Sequence, residues 1–255
     1  MRTILRILAL AVVLASSPAF GAEIKVMISG GLSSTYNELV PLFERESGHK
    51  VTTVSGASMG PSPNALPNRI DRGEPVDVVF MVGDALGDLV NKGKVVAASR
   101  VDIANSKIAM AVRAGEPKPD ITTVEGLKRA MLEAKSIAYS ESASGVYIEK
   151  TLMPRLGIWE QVKAKSRMVR DEPVAKAIAR GDAQIGFQQL SELKPVAGIE
   201  IVGMLPADAQ KVTVFSAGVA TNATQPEAGR ALIAFLASER ARATLVNAGL
   251  EPIGR

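Results

Sequence analysis

The sequence predicts an α/β protein of two lobes with a ligand cleft between them. Three observations predict it. Short apolar runs such as Val76-Asp77-Val78-Val79-Phe80-Met81 alternate with amphipathic stretches of helical spacing. Aromatic residues make up only 4% of the chain, so the core is built from Val, Ile, Leu and Ala, which suits buried parallel strands. Loops rich in small polar residues recur before and after the Pro-rich stretch 116–119, which divides the chain into two similar halves.

The first residues read as an export signal. Arg2 and Arg6 precede an apolar run from Ile7 to Ala15, and Ala19-Phe20-Gly21 is a small-x-small pattern, so cleavage is expected after Gly21 or Ala22. The apolar run is too short to span a bilayer. The remaining chain has 28 Lys and Arg against 26 acids, a net charge of 28 − 26 = +2, with no basic block, and this argues against a nucleic-acid partner. The absence of cysteine excludes disulfides, thiolate metal sites and cysteine nucleophiles. With His49 as the sole histidine, no metal or cofactor is expected.

The elements follow in order. Residues 24–28 form a strand, and 29–34 a turn. Thr35 and Glu38 read as a capping box for a helix that ends at Gly48, with a kink at Pro41. Residues 50–54 are the next strand. The small-residue loop 55–64 leads to a short helix that ends near Arg72. Residues 76–81 are a strand and 85–91 a helix. A strand over 107–112, a helix over 124–134 and a strand over 136–139 precede a second Ser-rich turn at 140–145. Residues 146–156 form a helix stopped by Gly157. Asp171 to Val174 opens a helix that ends at Gly181. Strands are expected over 183–187, 199–204 and 212–220, and Pro226 begins two closing helices. The lobes are expected over residues 23–102 with 213–255, and over residues 103–212.

Four loops share one design: strand, small polar residues, helix. They span 29–34, 55–62, 140–147 and 171–174. Helix N-termini present unpaired N–H groups with partial positive charge, and serine hydroxyls add neutral donors. Each loop alone is also an ordinary cap or turn. Together they read as an anion pocket. Its candidates are Gly31, Ser33, Ser58, Met59, Ser142, Ser144, Gly145, Pro173 and Val174.

The order of the segments "ISGGLSSTYNELVPLFERESGHKV", "VSGASM", "GEPVDVVFMVGDALGDLVNKGKV", "SASGVYIEKTLMPRLGIW", "EPVAKAIARGDAQIGF" and "QPEAGRALIAFLASERARATLVNAGLEP" resembles the periplasmic molybdate-binding proteins, type 2 solute-binding proteins of ABC importers. The resemblance implies the type 2 periplasmic-binding-protein architecture, a periplasmic monomer, and an ABC permease as a partner. The motifs depart from that family. Gly31-Leu32 stands where an Ala-Ser-Leu turn is usual, Gly56-Ala57-Ser58 where Gly-Ser-Ser is usual, and Phe187-Gln188-Gln189 where a tyrosine often faces the oxyanion.

Arg69, Asn64 and Gln188 add a guanidinium fork and amides. A fork pairs with a planar carboxylate, which suits a small organic polycarboxylate better than a compact tetrahedral oxyanion. The altered signature resembles the aconitate isomerase branch of the family, which implies a proton shift between the allylic carbons of trans- and cis-aconitate. That reaction needs carboxylate clamps and a base. Glu141 and Tyr147, flanking the second Ser-rich turn, are the first choices for base, ahead of Tyr139, Glu172 and Asp84. Arg69, Ser58 and Ser144 would clamp carboxylates. A receptor passing a carboxylate or molybdate-like oxyanion to a permease, or a sensor presenting its ligand to a membrane partner, needs no base.

Overall fold

A computed structural model describes residues 21–254. The basic and apolar parts of the expected export signal lie outside the described residues. In chain order the first part contains β1 (Glu23–Ile28), α1 (Gly30–Ser47), β2 (Lys50–Ser55), α2 (Leu66–Asp71), β3 (Val78–Val82), α3 (Gly83–Asn91) and β4 (Val101–Ser106). The second contains β5 (Ile108–Arg113), α4 (Val124–Glu133), β6 (Ile137–Ser140), α5 (Ala143–Tyr147), α6 (Met153–Arg155), α7 (Trp159–Val162), β7 (Ser166–Val169), α8 (Val174–Ala179), β8 (Ile185–Gln189), α9 (Leu190–Leu193) and β9 (Ile199–Met204). The chain then returns through β10 (Thr213–Val219), α10 (Pro226–Leu236), α11 (Glu239–Asn247) and β11 (Glu251–Pro252).

Two sheets result. The first has six strands in the order β11-β4-β10-β3-β1-β2, and the second five in the order β7-β6-β8-β5-β9. The parallel character expected from the apolar runs holds for β1, β2 and β3 and for β6, β7 and β8. The strands that carry the chain between the sheets pair antiparallel with their neighbours, β10 with β3 and β4 in the first sheet and β5 with β8 and β9 in the second, so each sheet is mixed. The first crossing falls at Lys107. Residues Ile103 to Ser106, read from sequence with the second lobe, pair with β10 and β11 in the first sheet.

Each sheet has its own apolar core. Phe80, Met81, Leu86 and Leu232 belong to the first, and Met110, Ile137, Leu152 and Phe187 to the second. Asp77 is a polar anchor inside the first lobe. It is 1% exposed and accepts hydrogen bonds from the Lys25, Thr224 and Gln225 N–H groups and the Thr224 hydroxyl, which tie the start of α10 to β1 and β3. Burial opposes its ionisation, but these donors outweigh that and hold its pKa below the usual aspartate value.

Helix α1 begins five residues before the expected capping box. Its N-cap is Ser29, and the expected turn over 29–34 is its first turn. Helix α1 runs through Pro41 to Ser47, and Gly48 ends it in the left-handed conformation. Strands β4, β7 and β11 and helices α7 and α9 are additions to the elements expected from sequence. His49, expected at the surface, is partly covered: its Nδ1 accepts from the Ala22 N–H at 3.0 Å, and its ring lies 5.9 Å from that of Phe43. Among the described residues no helix is long and apolar enough to cross a membrane.

Candidate functional site

A cavity of about 540 Å³ opens between the sheets, within the range of small-ligand sites. Its walls come from the carboxyl ends of strands in both lobes. Ser29 and Gly30 follow β1, Gly56 and Ala57 follow β2, Ser140 to Ser144 follow β6, Asp171 to Pro173 follow β7, and Gln188 to Glu192 close β8. Ligands in open α/β sheets sit at such strand ends, where helix N-termini point inward.

Of the residues picked from sequence, the cavity brings together Gly31, Ser33, Arg69, Glu141, Ser142, Ser144, Pro173 and Gln188. Glu141 is 5% exposed. Its Oε1 lies 3.5 Å from the Asp171 N–H, and its Oε2 is enclosed without any hydrogen-bond partner. Gly60 of the first lobe, at φ 111°, approaches so closely that a Cβ there would lie 3.4 Å from Oε2. Ser144 Oγ and Ser140 Oγ share a 3.0 Å hydrogen bond. Ser29 Oγ, Ser34 Oγ and Gln189 Oε1 are also enclosed without partners. Buried polar atoms normally find partners, so this concentration around one cavity marks a site built for a polar guest.

Arg69 reaches the cavity already oriented. Nη1 donates to Glu74 Oε2 at 2.8 Å, Nη2 to Asn64 Oδ1 at 3.0 Å and Nε to the Asn64 carbonyl at 3.2 Å. Three of its five N–H donors are engaged and two remain for a ligand. Among the lining residues Arg69 is the single cation, against Glu141, Asp171, Glu172 and Glu192. Attraction for an anion must therefore come largely from hydroxyls and backbone N–H groups.

Seven sequence choices do not line the cavity, two of them base candidates of second rank. The Tyr147 ring packs in the core of the second lobe, and its hydroxyl donates to the Ala209 carbonyl at 3.0 Å, which removes it as a base. Ser58 is fully buried and its Oγ accepts from the Val82 N–H at 3.0 Å, so it braces the loop against β3. Met59 packs on the first core. Gly145 is there for space: a Cβ would collide with the Ser140 carbonyl at 1.6 Å. Val174 is buried, and its N–H donates to Gln188 Oε1 at 2.9 Å. Among the other base candidates, Glu172 lines the cavity but both its oxygens accept from Arg180, which lowers its pKa. Burial pushes the Tyr139 hydroxyl up to about 12, and neither it nor Asp84 lines the cavity.

Two lining acids were not picked as site residues from the sequence, although Asp171 opens one of the four loops. Asp171 Oδ1 accepts from Ser62 Oγ at 2.9 Å and from Asn64 Nδ2 at 3.3 Å, joining the lobes. Glu192 lies on α9, where that helix meets the start of α1. Its Oε1 sits where a Cβ on Gly30 would be, 2.0 Å away. The neighbouring Ser191 Oγ donates to the Gly31 carbonyl at 2.8 Å. No local signal marks Glu192, because its place in the cavity depends on α9 meeting the start of α1.

The family model for bacterial extracellular solute-binding proteins matches residues 24–251. The chain belongs to the bacterial extracellular solute-binding protein family. An aconitate isomerase from Pseudomonas is 48% identical over 247 residues, covering 95% of this chain and 94% of the relative. The molybdate-binding protein ModA of Azotobacter vinelandii is 28% identical over 193 residues, covering 73% and 72%. In three dimensions the periplasmic molybdate-binding protein of Azotobacter vinelandii superposes with a TM-score of 0.74 at 23% identity, covering 91% of this chain and all of that one. The fold is thus the two-lobed architecture of periplasmic binding proteins. As a solute-binding family member the chain is an extracytoplasmic protein that holds small ligands.

Proposed function

We propose that this protein is an aconitate isomerase, interconverting trans- and cis-aconitate by allylic proton transfer. The observation that carries the reading is Glu141: an enclosed carboxylate with one unpartnered oxygen in the cavity of a chain 48% identical, end to end, to an enzyme of that name. The ligand's carboxylates are held by the start of α1, by the hydroxyls of Ser29, Ser34 and Ser144, and by the two free N–H groups of Arg69. Ser33, Ser142, Pro173 and Gln188 complete the walls. Glu141 removes a methylene proton, and the resulting dienolate charge spreads onto a carboxylate that these fixed donors stabilise. Contacts between Asp171 and the loop carrying Ser62 and Asn64 keep water from the intermediate.

The enzyme works as a monomer in the periplasm. Its export signal is cut after Gly21 or Ala22, where the small-x-small pattern Ala19-Phe20-Gly21 ends. Mixing purified protein with trans-aconitate tests the reading, with the cis isomer followed by proton NMR. Turnover is expected. Binding without turnover would overturn the isomerase and favour a second reading, supported by the ModA kinship: a receptor that hands a carboxylate or oxyanion to an ABC permease.

A further inference from the structure

Four carboxyl groups line the cavity, and three have evident occupations. Asp171 joins the lobes, Glu172 is paired with Arg180, and Glu141 is the proposed base. Glu192 remains. It belongs to α9, on a different wall from the β6–α5 loop that carries Glu141. Gly30 is needed for its placement, because any side chain there would occupy the position of Glu192 Oε1. The Gln188 side chain and the Gln189 N–H lie beside its carboxyl and favour the charged form. Gln188 is itself fixed by the Val174 N–H, which donates to its Oε1 at 2.9 Å. Burial pushes its pKa up to about 7, against those two hydrogen bonds, so the protonated form is well populated at neutral pH.

We propose that Glu192 is the second proton-transfer group of this site, delivering a proton to one allylic carbon while Glu141 takes one from the other. The proposal rests on the isomerase reading. The C–H bond at the methylene breaks as Glu141 accepts the proton, and its electrons form the new double bond. The electrons of the old double bond take the proton from Glu192. Glu141 is left protonated and Glu192 ionised, and exchange with water restores both. Glu141 is confined between Gly60 and the Asp171 N–H. In the proposed arrangement Glu141 serves one allylic carbon from the β6–α5 loop and Glu192 serves the other from α9.

Isotope transfer decides the matter. The wild-type protein converts trans-aconitate deuterated at its methylene, in ordinary water, under single-turnover conditions. The product is expected to carry no substrate-derived deuterium at the newly protonated carbon. Glu192→Gln is expected to slow isomerisation at least a hundredfold while still exchanging methylene protons with solvent. It should also bind tricarballylate, the saturated tricarboxylate, with an unchanged Kd. Direct carry-over of deuterium in the wild type overturns the proposal. So does a Glu192→Gln protein that isomerises at the wild-type rate, or that loses exchange together with isomerisation. Should the variant fail to fold by its thermal melt, the wild-type label experiment decides alone. A wild type that leaves trans-aconitate unchanged overturns the isomerase reading and this proposal with it, whereas the other outcomes touch this proposal only.

Discussion

Ser62 Oγ donates a 2.9 Å hydrogen bond to Asp171 Oδ1, and the two residues belong to different lobes. Asn64 Nδ2 donates to the same oxygen at 3.3 Å. Asp171 adopts φ 57°, a left-handed conformation rare outside glycine but tolerated by Asp and Asn. The chain thus accepts local strain where the lobes meet. Asp171→Gly relieves that strain and deletes the acceptor together, and the two effects show in different measurements, stability for the first and ligand binding for the second. Hydrogen bonds to a charged group contribute roughly 1.5–3 kcal/mol. Losing them is expected to weaken tricarballylate binding about tenfold by calorimetry, with the melting temperature unchanged or raised. Asp171→Asn, which tolerates the same backbone and keeps an acceptor, is expected to lie between wild type and Asp171→Gly.

Glu141→Gln keeps the volume of the side chain and its contact with Gly60 but cannot accept a proton. General-base catalysis contributes roughly 10²–10⁴-fold. Isomerisation and exchange of methylene protons are both expected to fall by about that factor, while the Kd for tricarballylate changes by less than a few fold. A variant of undiminished turnover would remove Glu141 as base.

Tyr147 yields the opposite expectation. Its hydroxyl serves the Ala209 carbonyl, with Arg155 Nη2 3.4 Å away, inside the second lobe. Tyr147→Phe is expected to leave turnover within twofold of wild type. It should cost about 1 kcal/mol of stability, the ordinary net value of such a bond, read as a drop of about 2–4 °C in melting temperature. A large loss of turnover with unchanged stability would return Tyr147 to the chemistry.

The contrast between Glu141 and Tyr147 shows what sequence can reveal here. Strand–helix alternation was legible because the central strands β3 and β8 are buried on both faces and read as apolar runs. Strand β4 was hidden because Val101-Asp102-Ile103-Ala104-Asn105-Ser106 carries polar residues used inside the fold, Asp102 accepting from Ser216 Oγ. The loops that line the cavity were legible from their serines and glycines. Which side chains turn inward was not, since Ser58 and Ser144 have the same local context and opposite fates. Glu192 depends on α9 meeting α1, and Asp171 on the first lobe meeting the second. Such contacts span 107 to 160 residues and leave no local periodicity to read.

The same long-range logic makes Asp77 a determinant of acid stability. Its folded pKa lies below that of the unfolded chain, because the Lys25, Gln225 and Thr224 donors favour the carboxylate more than burial disfavours it. Its contribution is therefore complete above the unfolded value of about pH 4, and is lost as pH falls through the lower folded value. Asp77→Asn is expected to lower stability near neutrality and to flatten the acid limb, so that wild type and variant converge as pH falls through the lowered folded value. Asp77→Ala strands the buried N–H groups at the start of α10 and is expected to cost about 3 kcal/mol or more at pH 7. Urea unfolding from pH 2 to 7 measures both, and parallel curves for wild type and Asp77→Asn would show that the carboxylate is not held in its charged form by those donors.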